Sequence, residues 1–224
     1  MICPEDPTPG LVGTWEHLLA ANATDLNDRL RDSLRPHPNE LFAPRDIALP
    51  AELGFHPDRN PAPPMEPLLL HADERVRVSA VLASHAPMAP AYALRFDIDE
   101  EYGGGSVVVS GDTAPCDNVI TLSHRADVLL HEVIDEVWIH ERVAALGTES
   151  ARALVDHHRG AHTTVAQAAE VADRAEVDRL VLHHFVPGNN PLHRWERIHE
   201  HFPRAVVGHD LMRLQLAGDR AGVR

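Results

Sequence analysis

Three stretches of this chain end a strand-like apolar run on a residue type that can ligate a metal ion. Ser106-Val-Val-Val-Ser-Gly-Asp112-Thr113 stops its valines at Gly111 and delivers a carboxylate at once. Arg75 to His85 alternates at first, turns apolar and ends on a histidine, while Arg179-Leu-Val-Leu-His183-His184-Phe185 ends on two. Imidazole and carboxylate are donors that suit Zn²⁺ and its relatives. One such ending is common; three favour a shared metal site. The alternative for Asp112 is that it merely caps a helix beginning near Pro115.

These residues need strands to position them. A short Val run bounded by glycine reads as a strand buried on both faces of a layered α/β sheet. Ligands of such folds bind beyond the carboxyl ends of the strands, where Asp112 would sit. Upstream, Thr14 is a plausible N-cap for a helix from Trp15 to about Leu34, ended by Pro36 and Pro38. From His37 to Pro67 the chain is proline-dense and reads as mostly irregular. Beyond Arg75 the expected order is four strands, helices, a strand and helices. Strands are expected at 91–97, 127–133 and 177–184, and helices at 136–146 and 149–158. A capping box at Thr164 and Gln167 opens an Ala-rich helix to about Ala175. Short terminal strands are expected at 205–207 and 211–216.

At 224 residues the chain is long enough for a sizeable core. Apolar residues make up 44% of it, and no apolar run is long enough to span a membrane. The first residues lack the pattern of a signal peptide, so a cytoplasmic location is the default expectation. Cys3 and Cys116 give neither a disulfide framework nor a metal knuckle; Cys116 reads as a buried small hydrophobe. The formal net charge of -14 repels polyanions and makes nucleic acid an unfavourable partner.

Several motifs in order resemble one family. They are Val81-Leu-Ala-Ser-His85-Ala-Pro-Met, Gly111-Asp112-Thr113, Ala126-Asp127-Val-Leu-Leu-His131-Glu132, His162-Thr-Thr-x-x-Gln-Ala-Ala and Leu180-Val-Leu-His-His184-Phe. Together they are similar to the metallo-β-lactamase-fold hydrolases, in the branch of ribonuclease Z and the arylsulfatase-like phosphodiesterases. The resemblance implies an α/β fold, an αββα sandwich in a single domain, with residues 75–216 as the metal-site core. The family's His-x-His-x-Asp-His is absent from these 224 residues. The expectation is therefore an N-terminally incomplete member, with apolar sheet faces that favour self-association, for instance as a homodimer.

The resemblance also assigns roles. It implies two zinc ions, or manganese, with His85 on one, His184 on the other and Asp112 between them. It makes His162 the group that contacts the scissile phosphate and protonates the leaving group, with Glu132 orienting it. The residue-level alternatives are a helix-capping His162 and a solvent-exposed Glu132. His183 reads as packing, while His157, His158, His199 and His201 read as solvated helix faces. Only 26 residues separate His85 from Asp112, too few for the long tRNA-gripping arm of ribonuclease Z enzymes. With the acidic charge, this favours a small phosphodiester, sulfate ester or related ester as substrate. The alternatives are a ribonuclease Z-like tRNA 3′ endonuclease, or a non-catalytic member of the superfamily.

Overall fold

The computed structural model describes residues 10–144 and 146–216, and Cys3 lies outside them. The chain divides into two compact units, residues 1–50 and 51–224. In the first, α1 (Leu11–Ala21) and α2 (Ala23–Ser33) replace the single helix expected from Trp15. The N-cap is Gly10 rather than Thr14, whose N–H already bonds the Gly10 carbonyl. Asn22 interrupts the helix. Its side-chain amide donates to the Leu18 carbonyl at 2.8 Å, the local competition through which asparagine breaks helices. A further turn, α3 (Pro38–Leu41), is capped by His37, so the proline-rich stretch is more ordered than its composition suggests.

The second unit is built on one seven-stranded sheet in sequential order. It runs β1 (Leu68–Ala72), β2 (Val76–Ala83), β3 (Ala91–Ile98), β4 (Gly105–Val109), β5 (Val128–Ile134), β6 (Arg179–Val186) and β7 (Val206–Val207). The first four strands pair antiparallel; β4 to β7 pair parallel. Parallel neighbours need crossovers. These are α4 (Asp117–Ser123) between β4 and β5, and α5 (Glu136–Val143), α6 (Thr148–Ala161) and α7 (Val165–Arg174) between β5 and β6. Between β6 and β7 come α8 (Leu192–Glu196) and a 3₁₀ turn (Arg197–Glu200). No strand forms at 211–216.

Strand register sorts the side chains by face. Val81, Ala93, Val108, Leu129, Val133, Leu180 and Leu182 share the face covered by α4 and α7 and form the core with Val119, Leu122 and Ala168. Leu94, Phe96, Val107, Val109 and Leu130 occupy the other face and are half-buried. Among the described residues there is this one sheet and its helices, so the second sheet of the αββα sandwich is not seen here. No helix among them is long and apolar enough to cross a membrane.

One of the buried polar residues sits among the apolar side chains of the sheet. His131 lies between Leu129 and Val133 on the helix-covered face and is fully buried. Its Nδ1 donates to the Glu132 carbonyl at 2.8 Å, and Nε2 has no partner. Burial lowers its pKa to about 4, with His183 adding to the shift. The folded state therefore refuses a proton that the unfolded chain accepts near 6.5. This contribution is full above that pH and is lost as pH falls towards 4, by about 3 kcal/mol. Urea denaturation across this range should show His131→Leu with a flatter pH dependence than the parent. An unchanged slope would refute the assignment.

Candidate metal and acid–base site

Gly111 sets the first element of the site. It follows β4 with φ +61, and a Cβ there would stand 2.7 Å from the Tyr92 carbonyl oxygen. Only glycine fits both the backbone and the space. The chain turns there and presents Asp112 at the C-terminal edge of the parallel strands. Asp112 is not a helix cap: α4 begins five residues later, with Cys116 as its N-cap.

His85 follows β2 and is held by its far nitrogen. Nδ1 lies 2.8 Å from the carbonyl of Ala161, the last residue of α6. A carbonyl only accepts, so Nδ1 carries the proton and Nε2 keeps its lone pair. That tautomer is the one a metal-ligating histidine needs. Nε2 lies 4.0 Å from Asp112 Oδ2.

His184 arrives by a break in the sheet. Glu132 pairs with His183 and Val133 with Phe185, leaving His184 as the extra residue of a β-bulge, with φ +45. Bulges re-aim side chains and are frequent beside active sites. His184 Nε2 stands 3.3 Å from Asp112 Oδ2, so both histidines approach the same carboxylate oxygen. Two ligands of one tetrahedral zinc ion lie about 3.4 Å apart. The Asp112–His184 spacing meets this, and His85 sits roughly half an ångström too far. By donor type the three fit a borderline dication, and His85 also by tautomer, although among the described residues no three donors close into a finished metal cage.

His162 caps the end of α6, two residues before the N-cap Thr164 of α7. Its ring meets His85 edge-on, with centroids 5.3 Å apart, and stacks on His184 at 6.3 Å. Behind it lies Glu132, which is fully buried rather than solvent-exposed. Glu132 Oε1 accepts N–H bonds from Thr113 at 3.2 Å and Thr163 at 2.9 Å. Oε2 faces His162 Nδ1 at 3.3 Å, without the alignment of a hydrogen bond, so their attraction is mainly one of charge. Burial opposes a charged His162, but Glu132 and then Asp112 outweigh it and raise its pKa above 6.5. Burial pushes the Glu132 pKa up, while His162 and the two N–H donors pull it back.

The remaining expectations divide. His157, His199 and His201 are exposed, and Trp195 and Phe202 belong to the core. Cys116 is half-buried and packs against that core. His183 stays on the sheet face of Leu130 and Val181, with Nε2 buried and unpartnered. His158 is not a solvated residue. It is half-buried, with its ring 6.0 Å from that of His162 and its Nδ1 unpartnered. The spacing His158-x-x-x-His162 signals one helix face. Assigning His162 to a loop hides that signal.

Residues 24–185 match the family model described as Beta-lactamase superfamily domain. The chain belongs to the metallo-β-lactamase superfamily, and its homologues include proteins named ribonuclease Z. It is 33% identical over 195 residues to "Ribonuclease Z" of Mycobacterium avium, a match covering 81% of this chain and 65% of that one. It is 31% identical over 173 residues to "Putative ribonuclease Z" of Mycobacterium tuberculosis, covering 73% and 72%. Among solved structures, the metallo-beta-lactamase fold protein YhfI of Bacillus subtilis aligns with 68% of this chain and 50% of its own, at 22% identity and a TM-score of 0.43. The match covers between 56% and 72% of the length of such curated relatives.

The electrostatics of the dyad can be tested directly. In Glu132→Gln the amide oxygen can still accept the two N–H bonds, but the charge facing His162 is gone and burial remains. The His162 imidazole, followed by NMR, should titrate above its ordinary 6.5 in the parent and clearly lower in the variant. Equal titration in both would show that Glu132 does not tune it.

Proposed function

We propose that His85, Asp112 and His184 hold a pair of divalent metal ions, with Asp112 shared between them, and that the site hydrolyses a phosphodiester of RNA. The observation that carries this reading is the arrival of these three donors at one strand edge, with the His162–Glu132 pair against them. Two imidazoles and a carboxylate suit zinc, with manganese as the second choice. A bound metal pair lowers the pKa of water and polarises phosphoryl oxygens. Asp112 supplies the anion that two neighbouring dications require. Glu132 faces Nδ1 of His162 and favours its charged form, leaving Nε2 to give a proton to the departing oxygen.

The choice of RNA over a small ester rests on the relatives named ribonuclease Z at 31–33% identity. The net charge pointed the other way, but it averages over the whole surface. The acidic run Asp99-Glu100-Glu101 lies between β3 and β4, at the sheet edge opposite Asp112. Its repulsion is therefore displaced from the site. The short segment between His85 and Asp112 still leaves no room there for a gripping arm, so a ribonuclease Z-like tRNA 3′ endonuclease would have to hold its substrate through other elements.

Three donors give each ion two protein ligands, one fewer than a catalytic zinc ion normally has. Calorimetry should show weak Zn²⁺ binding by the 224-residue chain, weakened at least roughly tenfold further in Asp112→Ala and His184→Ala. Turnover of bis-p-nitrophenyl phosphate and of a precursor tRNA is expected to stay near that of free metal, and to rise when a His-x-His-x-Asp-His segment is joined upstream. Zn²⁺ binding that is indifferent to both substitutions would overturn the metal assignment. In the extended protein, faster cleavage of a sulfate or carboxylate ester than of RNA would restore the small-ester reading.

A further inference from the structure

Behind His162, on the side of α5 and α6, lies a cavity of about 470 Å³. Its apolar wall is Ile134 and Ile139, both almost fully buried. Its polar groups come from three helices: Glu136 of α5, His158 and Arg159 of α6, and Gln167 of α7. His162 lines it as well and so belongs to both the cavity and the proposed metal site. The ring of His162 stands 6.0 Å from that of His158 in the cavity wall and 6.3 Å from that of His184 beside Asp112, so one imidazole adjoins both places.

The hydrogen-bonding groups that remain free decide the ligand class. Gln167 Oε1 already accepts from the Thr164 N–H and hydroxyl, both at 3.0 Å, which leaves its amide N–H₂ to donate. His158 Nδ1 is buried and has no partner. Arg159 and Glu136 meet at 3.3 Å through one nitrogen and one oxygen, so each keeps further donors or acceptors. An anion is poorly served, because the one arginine is already paired and its carboxylate partner lines the same space. A flat group with apolar faces and mixed donors and acceptors at its edge is well served. So is a sugar hydroxyl, which can donate to Glu136. The volume lies within the range of small-molecule sites.

We propose that this cavity binds a nucleoside, the one next to the phosphodiester handled at the Asp112 edge. The inference rests on the phosphodiesterase reading for its meaning but not for its test, which needs neither metal nor turnover. Adenosine and cytidine are titrated into the metal-free 224-residue chain and followed by saturation-transfer NMR. At least one should bind in the millimolar range or tighter, and inorganic phosphate at equal concentration should not displace it. The double variant Glu136→Gln, Arg159→Met should weaken binding about tenfold, a 1.4 kcal/mol loss. Both side chains are more than half exposed, so the variant should keep its cooperative melt. Should it not, Glu136→Gln alone carries the comparison, with a several-fold loss expected. Asp112→Ala, which tests the metal site, should bind the nucleoside as the parent does. The proposal is overturned if neither nucleoside binds at about 10 mM. It is equally overturned if the variants bind like the parent, if phosphate competes, or if Asp112→Ala abolishes binding.

Discussion

A carboxylate buried with no water to solvate it is the constraint around which the second unit is organised. Glu132 lies at zero exposure near the end of β5, a position tolerable only if its charge is answered. Two backbone N–H groups and one imidazole answer it, and they come from two places: Thr113 after β4, and the neighbours His162 and Thr163 between α6 and α7. Thr163 then donates its hydroxyl to the Thr113 carbonyl at 2.6 Å, and Thr113 Oγ1 accepts the Ser84 N–H at 3.0 Å. One carboxylate thereby fixes the loops that carry His85, Asp112 and His162. Removing it would loosen all three together.

The parallel strands explain why those loops meet. β4, β5 and β6 point the same way, so their C-terminal ends share one edge, and β2, which runs antiparallel to β3, ends there too. Ordinary strand geometry would not finish the site. Gly111 must turn where a Cβ has no space, and His184 must leave the alternation of β6 through a bulge. Both are local departures from regular sheet, placed at the two residues that approach Asp112 most closely along the chain or through space. Strain of this kind persists where surrounding structure over-determines it.

Strand ends were legible in the sequence because apolar runs stop at a defined residue: Val109 before Gly111, and Leu182 before the paired histidines. Their convergence followed from the rule for open α/β sheets, and the structure brings His85, Asp112 and His184 within 4.0 Å of contact through one oxygen. What remained hidden depends on non-local partners. Period-two alternation cannot reveal the bulge at His184, which is defined by the register of β5. The burial of Glu132 depends on N–H groups 19 and 31 residues away. The break at Asn22 was missed for a different reason: the leucine stripe continues across it, and hydrophobic period is blind to a side chain that competes for the Leu18 carbonyl.

The arrangement also bears on a difficulty of the proposed chemistry. A histidine meant to donate a proton must stay charged, yet dications placed at Asp112 would favour its neutral form, since like charges repel and a bound ion is the largest local charge in such a site. The counterweight has to be an anion that the metals do not themselves consume. Asp112 cannot serve, because its carboxylate is committed between the histidines. Glu132 can: its two oxygens are held by N–H donors and by His162 on the inner side of the ring, away from solvent. A buried glutamate is costly to the fold, but here its field reaches His162 with little screening. The same desolvation that makes Glu132 expensive thus makes it effective, and a solvent-exposed carboxylate at the same distance would do far less.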